Sequence, residues 1–291
     1  MKKFLTVFLA ALLALAIFAG CAPAAAEPSN SPADASAAPT EAPAASPAGD
    51  SSLADIKAKG TLVLGMDDAF PPMGFRDEKT NELTGFDLDV ATEACKRMGV
   101  TLVPTPIDWT QKILELDSGN IDVIWNGFSI DAERLEKTAM TFPYMKNRQI
   151  LVVLADSPYQ TLADLAGKKL SLQADSTAET ALEDSPDFKA SLSDVVLLSD
   201  NMKALMDLEA KGCDAVLMDE IVANYYITSN GSPFRVLDES LADEEYGIGC
   251  RKGSETLKAE IERILLEMAS DGTLAEISTK WFGKDVTIVG K

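Results

Sequence analysis

Arg134, Asp219 and Asp67 are the charged residues around which a binding chemistry can be written. The guanidinium of Arg134 is a planar fork that holds a carboxylate through two parallel hydrogen bonds. Backbone N–H groups near Ser129, and at Ser176-Thr177 where a helix is expected to open, suit the same anion. Asp219, at an expected strand end, accepts from an ammonium group. One cation, one anion and several dipoles at fixed positions suit a small molecule that carries both charges on one carbon. Two plainer roles stay open on the sequence alone. Asp131, Glu133, Glu136 and Lys137 surround Arg134, as on a solvated helix, and Asp219 can cap a helix that starts at Glu220.

Other chemistries are excluded by composition. The chain has no histidine, so His-based catalysis and His-ligated metals are ruled out. Beyond Cys21 the cysteines are Cys95, Cys213 and Cys250, an odd number, widely spaced, with no CxxC pair. They read as small buried hydrophobes rather than a disulfide framework or thiolate metal site. No cofactor or metal is expected. The net charge of −20 disfavours nucleic acid and anionic membrane surfaces as partners.

The first residues read as an address. Met1-Lys2-Lys3 is followed by an uncharged run from Phe4 to Ala19, too short for a comfortable membrane span. It ends in Phe18-Ala19-Gly20-Cys21, which resembles the lipobox of bacterial lipoproteins, although Leu is commoner than Phe at the first of these positions. Residues 1–20 are therefore expected to be a signal peptide, with Cys21 lipidated as the mature N-terminus. Loss of Lys2 and Lys3 takes the charge from −20 to −22. Residues 21–50, nearly all Ala, Pro and Ser after Cys21, should form a disordered tether, with a reach of at most roughly 90 Å.

The working part is residues 51–291, in which strands and helices alternate. Thr61–Met66, Thr101–Pro104 and Ile121–Trp125 read as strands, with helices over Phe86–Met98 and Gln111–Leu116. The pattern then restarts. Strands are expected at Gln149–Leu154, Lys168–Gln173, Val195–Leu198 and Asp214–Met218. Helices are expected at Thr161–Leu165, Ser176–Leu182, Met202–Ala210 and Glu220–Tyr226. A strand at Tyr246–Arg251 and two helices, the last ending at Lys280, complete the chain. Two α/β units result, and ligands bind off the carboxyl ends of strands in such sheets.

Four stretches follow strand ends: Asp67-Asp-Ala-Phe-Pro-Pro-Met-Gly-Phe75, with Leu83-Thr-Gly-Phe-Asp-Leu-Asp89 after it; Asn126-Gly-Phe-Ser-Ile-Asp-Ala-Glu-Arg134; Gln173-Ala-Asp-Ser-Thr-Ala-Glu179; and Leu217-Met-Asp219. In this order they resemble the polar amino-acid-binding proteins of ABC importers, within the type II periplasmic-binding fold, over about residues 53–285. The resemblance implies a two-lobed α/β fold, each lobe a mostly parallel sheet flanked by helices, with the ligand cleft between. The lobes are expected at 51–147 plus 241–291 and at 148–240, with a hinge near Lys146-Asn147 and Leu241–Glu244.

The resemblance also implies residue roles. Arg134 would hold the ligand carboxylate, with Ser129, Ser176 and Thr177, and Asp219 the ammonium. Phe70 would pack over the ligand, with Trp109, Asn126 and the backbone of Gly127 lining the pocket. Asp67 favours a ligand side chain with a donor or a cation and disfavours an anionic one. Asp175 departs from the pattern, because relatives often have Gly there. Its carboxylate would weaken carboxylate binding if it points inward, and otherwise points to solvent or caps the helix beginning near Ser176.

The expected function is capture of a polar or cationic L-amino acid, or cystine, by a monomer lipid-anchored on the outer face of the membrane, for delivery to an ABC permease. The same fold hosts a few exported dehydratases acting on prephenate-like substrates. That alternative needs a general acid, for which Glu179 is the nearest candidate, although its place in a first helical turn suits it to serve the helix N-terminus.

Overall fold

The computed structural model describes residues 49–229 and 231–291. The expected signal peptide, Cys21 and nearly all of the tether lie outside the described residues. Among those described, no helix is long and apolar enough to cross a membrane.

The strands, in chain order, are β1 (Thr61–Met66), β2 (Ala69–Phe70), β3 (Gly74–Arg76), β4 (Leu83–Thr84), β5 (Thr101–Pro106), β6 (Val123–Ser129), β7 (Thr138–Met140), β8 (Met145–Leu154), β9 (Lys169–Gln173), β10 (Asp194–Leu198), β11 (Ala215–Asp219) and β12 (Phe234–Arg251). The helices are α1 (Ser52–Lys59), α2 (Phe86–Met98), α3 (Lys112–Ser118), α4 (Ala132–Lys137), α5 (Thr177–Glu183), α6 (Pro186–Ser191), α7 (Asn201–Glu209), α8 (Glu220–Ser229), α9 (Glu255–Ser270) and α10 (Thr273–Phe282). A 3-10 turn at Leu162–Leu165 stands where a short helix is expected, and another at Trp109–Gln111 precedes α3, which matches the helix expected at Gln111–Leu116.

The main sheet runs β10-β9-β11-β8-β12-β6-β1-β5. On one side β1 pairs in parallel with β5 and β6, and on the other β9 pairs in parallel with β10 and β11. The antiparallel strands β8 and β12 join these halves. Register shifts interrupt β12 near Ser240 and between Gly247 and Gly249. Such bulges bend a strand, which suits an 18-residue strand that serves both halves.

Apolar runs explain the interior. Leu62, Leu64 and Met66 of β1 are fully buried, and α2 covers them with Val90, Ala91, Ala94 and Cys95. The same cluster continues to Val216 and Met218 of β11 under α7 and α8. Smaller clusters form around Leu170, Leu172 and Leu217, and around Ile124 and Phe128. Cys95, Cys213 and Cys250 are buried and free, and burial pushes the thiols of Cys95 and Cys213 up to about 12.

Several elements differ from the sequence reading, among them β8, which starts at Met145 rather than Gln149. The strand expected at Tyr246–Arg251 begins at Phe234, because polar Asp238, Glu239, Asp243 and Glu244 hide its first part from a hydrophobicity count. The strand expected to end at Trp125 runs on to Ser129, so Asn126 to Ser129 are strand rather than loop. The small sheet β2-β3-β4, with strands of two or three residues, gives too little periodicity to read.

Candidate ligand site

A narrow, nearly filled cavity lies off the ends of β6, β9 and β11. Its lining is Phe70, Trp109, Gly127, Ser129, Arg134, Gln173, Ser176, Thr177 and Asp219. Eight of the ten residues singled out in the sequence thus share one cavity. The other two, Asp67 and Asn126, lie beside it.

Arg134 stands in α4, where the side chain of Asp131 caps the helix by accepting from the Arg134 N–H at 2.7 Å. The guanidinium is only 7% exposed. Nη1 donates to the Ser129 carbonyl at 2.9 Å, Nε lies 3.2 Å from Asp131 Oδ2, and the group sits 4.4 Å over the Phe128 ring. These contacts fix the plane of the fork. Nη2 has no protein acceptor among the described residues, so the fork retains donors for an anion at the cavity. Burial pulls the Arg134 pKa down, and the carboxylates of Asp131, Glu244 and Asp219 oppose that pull.

Ser129 and Thr177 meet across the cavity, with their hydroxyl oxygens 3.1 Å apart. Ser176 precedes α5 and donates to the Gln173 carbonyl at 2.7 Å. The first N–H groups of a helix have no intrahelical acceptor, so this turn presents free donors.

Asp219 ends β11, 5% exposed. Its Oδ1 accepts from Asn147 Nδ2 and from the Tyr246 hydroxyl, both at 2.7 Å. Asn147 Nδ2 also donates to Glu244 Oε1 at 2.5 Å, and Gln149 Nε2 donates to the same oxygen at 3.0 Å. Burial, then the neighbouring Glu244, hold the Asp219 carboxyl well above the usual carboxylate range. A cation at the cavity would relieve both acids. Asn147 and Glu244 were expected only as hinge positions and Gln149 and Tyr246 only as strand starts, since β8 and β12 bring them together from separations near one hundred residues.

Asp67 is bonded across the cleft. Its Oδ2 accepts from Gln173 Nε2 at 2.8 Å and its Oδ1 from the Ala69 N–H at 2.8 Å. Burial is the main reason its pKa is pushed up to about 6. Asn126 Oδ1 accepts from the Asp67 N–H at 3.1 Å, so Asn126 holds the turn that carries Asp67. Gln173 is the lining residue that sequence reasoning missed, although it opens one of the quoted stretches.

Phe70 and Trp109 are both buried. Gly127 has φ +54, and a Cβ there would lie 2.6 Å from the Phe70 ring, so only glycine lets Phe70 close over this strand. Beneath it, Asp87 Oδ2 accepts from the Gly127 N–H at 2.8 Å and from the Tyr144 hydroxyl at 3.0 Å. Asp87 is fully buried, and burial pushes its pKa up to about 7.

A carboxyl raised on folding contributes stability that is complete below its unfolded value and is lost as pH rises through its folded value. For Asp87 that window runs from about 4 to about 7. Asp87→Asn, which mimics the neutral form, should therefore flatten the fall in thermal midpoint between pH 5 and pH 8.5. A slope identical to that of the parent would count against this role.

Asp175 has φ +56, the left-handed region where glycine is at ease. Its side chain turns outward to Lys112 Nζ, 2.6 Å away. Its N–H donates to Glu179 Oε2 at 2.8 Å, so Glu179 is occupied at the helix start.

The fold and the cavity define a two-lobed α/β protein with a small polar cleft between its halves. Residues 62–284 match the bacterial extracellular solute-binding proteins, family 3, and the chain belongs to that family. It is 32% identical to the L-cystine-binding protein TcyJ of Escherichia coli (strain K12) over 242 residues, which cover 82% of this chain and 89% of that protein. A substrate-binding protein of an ABC uptake transporter from Streptococcus pneumoniae, solved with bound histidine, superposes with TM-score 0.79 at 36% identity, covering 83% of this chain and 99% of the other. Tv2483 bound to L-arginine gives TM-score 0.79 at 34% identity, covering 83% and 98%.

Proposed function

We propose that the protein captures a polar or cationic L-amino acid, or cystine, outside the cytoplasm and hands it to an ABC permease. The observation that carries this reading is that Arg134, in the helix after β6, and Asp219, at the end of β11 in the other half of the sheet, line one small cavity. In this reading Arg134, Ser129, Ser176 and Thr177 take the carboxylate. Asp219 takes the ammonium, with Glu244 adding negative potential behind it. Phe70 and Trp109 pack against the solute, with Gly127 presenting backbone. Asp67 and Asn126 lie beyond Gln173 and bias the far end toward donors and cations. The ligands of the similar proteins, L-cystine, histidine and L-arginine, fall in this class.

The lobes are taken as 51–147 plus 241–291 and 148–240, hinged where β8 pairs with β12 at Asn147 and Glu244. A solute bonded to both lobes favours closure, because only the closed form makes both sets of contacts. The protein acts as a monomer without turnover, and Cys21 anchors it by lipid, which raises its concentration at the permease. Titration calorimetry of the mature chain against the twenty amino acids and cystine tests the reading. Heat from a polar or cationic member is expected, and silence from all of them would refute it. Incubation with prephenate separates the dehydratase alternative, since a binding protein leaves it unchanged.

A further inference from the structure

Lys112 and Asp175 connect the two sides of the cleft at its mouth, apart from the cavity lining described above. Lys112 opens α3, after β5, while Asp175 follows β9 in the other half of the sheet. The lysine Nζ donates to Asp175 Oδ2 at 2.6 Å, to the Asp175 carbonyl at 2.8 Å and to the Trp109 carbonyl at 3.1 Å. It also lies 5.2 Å over the Trp109 ring. The lysine side chain is only 4% exposed, the aspartate 59%.

When the halves separate, Lys112 keeps the Trp109 carbonyl and loses both bonds to Asp175. Opening exchanges the two bonds to Asp175 for water around the ammonium, so the pair favours closure by the difference between a charge-assisted bond and hydration. Asp175 also adjoins Ser176 and Thr177, where the solute carboxylate is placed. Left unpaired, its charge would repel that carboxylate, and Lys112 cancels it. The same pair thus favours closure and makes an acid tolerable beside an anion site.

We propose that Lys112 and Asp175 form a latch across the cleft that holds the free protein toward its closed form and slows release of the bound amino acid. The second half of this statement rests on the amino-acid reading, and the first does not.

The test compares the mature chain with Lys112→Met, Asp175→Gly and the double variant. Glycine accepts the left-handed backbone at 175, so that variant should fold. Small-angle scattering measures the opening of the free protein. Stopped-flow fluorescence measures release of L-arginine and, in parallel, of L-cystine. Each single variant should widen the free protein and speed release about fivefold, and the double variant should do no more than the stronger single. Unchanged radii together with unchanged release rates would overturn the latch, as would single effects that simply add in the double variant. If neither amino acid binds while the variants still widen, the latch stands and the choice of ligand fails. If either binds while radii and rates stay at the parent's values, the latch alone fails.

Discussion

Arg134→Ala should lower affinity for the captured amino acid at least about a hundredfold, since bonds to a charged group contribute about 1.5–3 kcal/mol each. The fork is held by the Ser129 carbonyl, Asp131 and the Phe128 ring before any solute arrives. Binding therefore costs little further ordering, and nearly all of the interaction is lost with the side chain. Arg134→Lys keeps the charge but not the paired geometry, and should recover only part of the loss. Calorimetry on both variants, with circular dichroism to show they fold, decides the matter. An alanine variant that binds within threefold of the parent would show that the carboxylate lies elsewhere.

Asp219→Asn should move binding and stability in opposite directions. Affinity should fall about a hundredfold, because the ammonium loses its buried countercharge. The free protein should become more stable at alkaline pH. Asp219 and Glu244 are buried side by side, and the Asp219 carboxyl is raised, so its contribution is complete below about 4 and is lost as pH climbs through the raised value. Asparagine removes that loss. The linkage also requires that an ammonium ligand favours the ionised carboxylate, so binding by the parent should release protons. Calorimetry in two buffers of different ionisation heat measures the release, and melting at pH 8 measures stability. A variant that melts below the parent at pH 8 would contradict this account of the acid pair.

Much of this was legible in the residue order, for identifiable reasons. Phe86–Met98 announces itself by helical spacing and by Gly99, which ends the helix in the left-handed conformation. Arg134, Thr177 and Asp219 follow strand or helix boundaries in a recognisable order. What stayed hidden depends on pairing over long separations. Asn147 and Glu244 meet because β8 and β12 share a register, and no local pattern carries that information. Asp87 was quoted only within a resembling stretch, and nothing local shows that it holds the Gly127 peptide from below. Asp175 stood out as a departure, and the backbone angle that explains it belongs to the folded turn alone.

The place of β12 in the sheet has a consequence for the timing of folding. This strand, drawn from residues 234–251, separates β6 from β8 and completes the hydrogen bonding of both. Neither half can close its sheet until that late segment is available. Contacts so distant in sequence form slowly, after the costly loops have closed. A chain that leaves its compartment amino end first would then stay loose and threadable until nearly all of it has crossed. Hydrogen exchange on a chain ending at residue 233 would reveal this, and strong protection of β6 in such a fragment would refute it. Late completion of the sheet would guard an exported chain against premature folding.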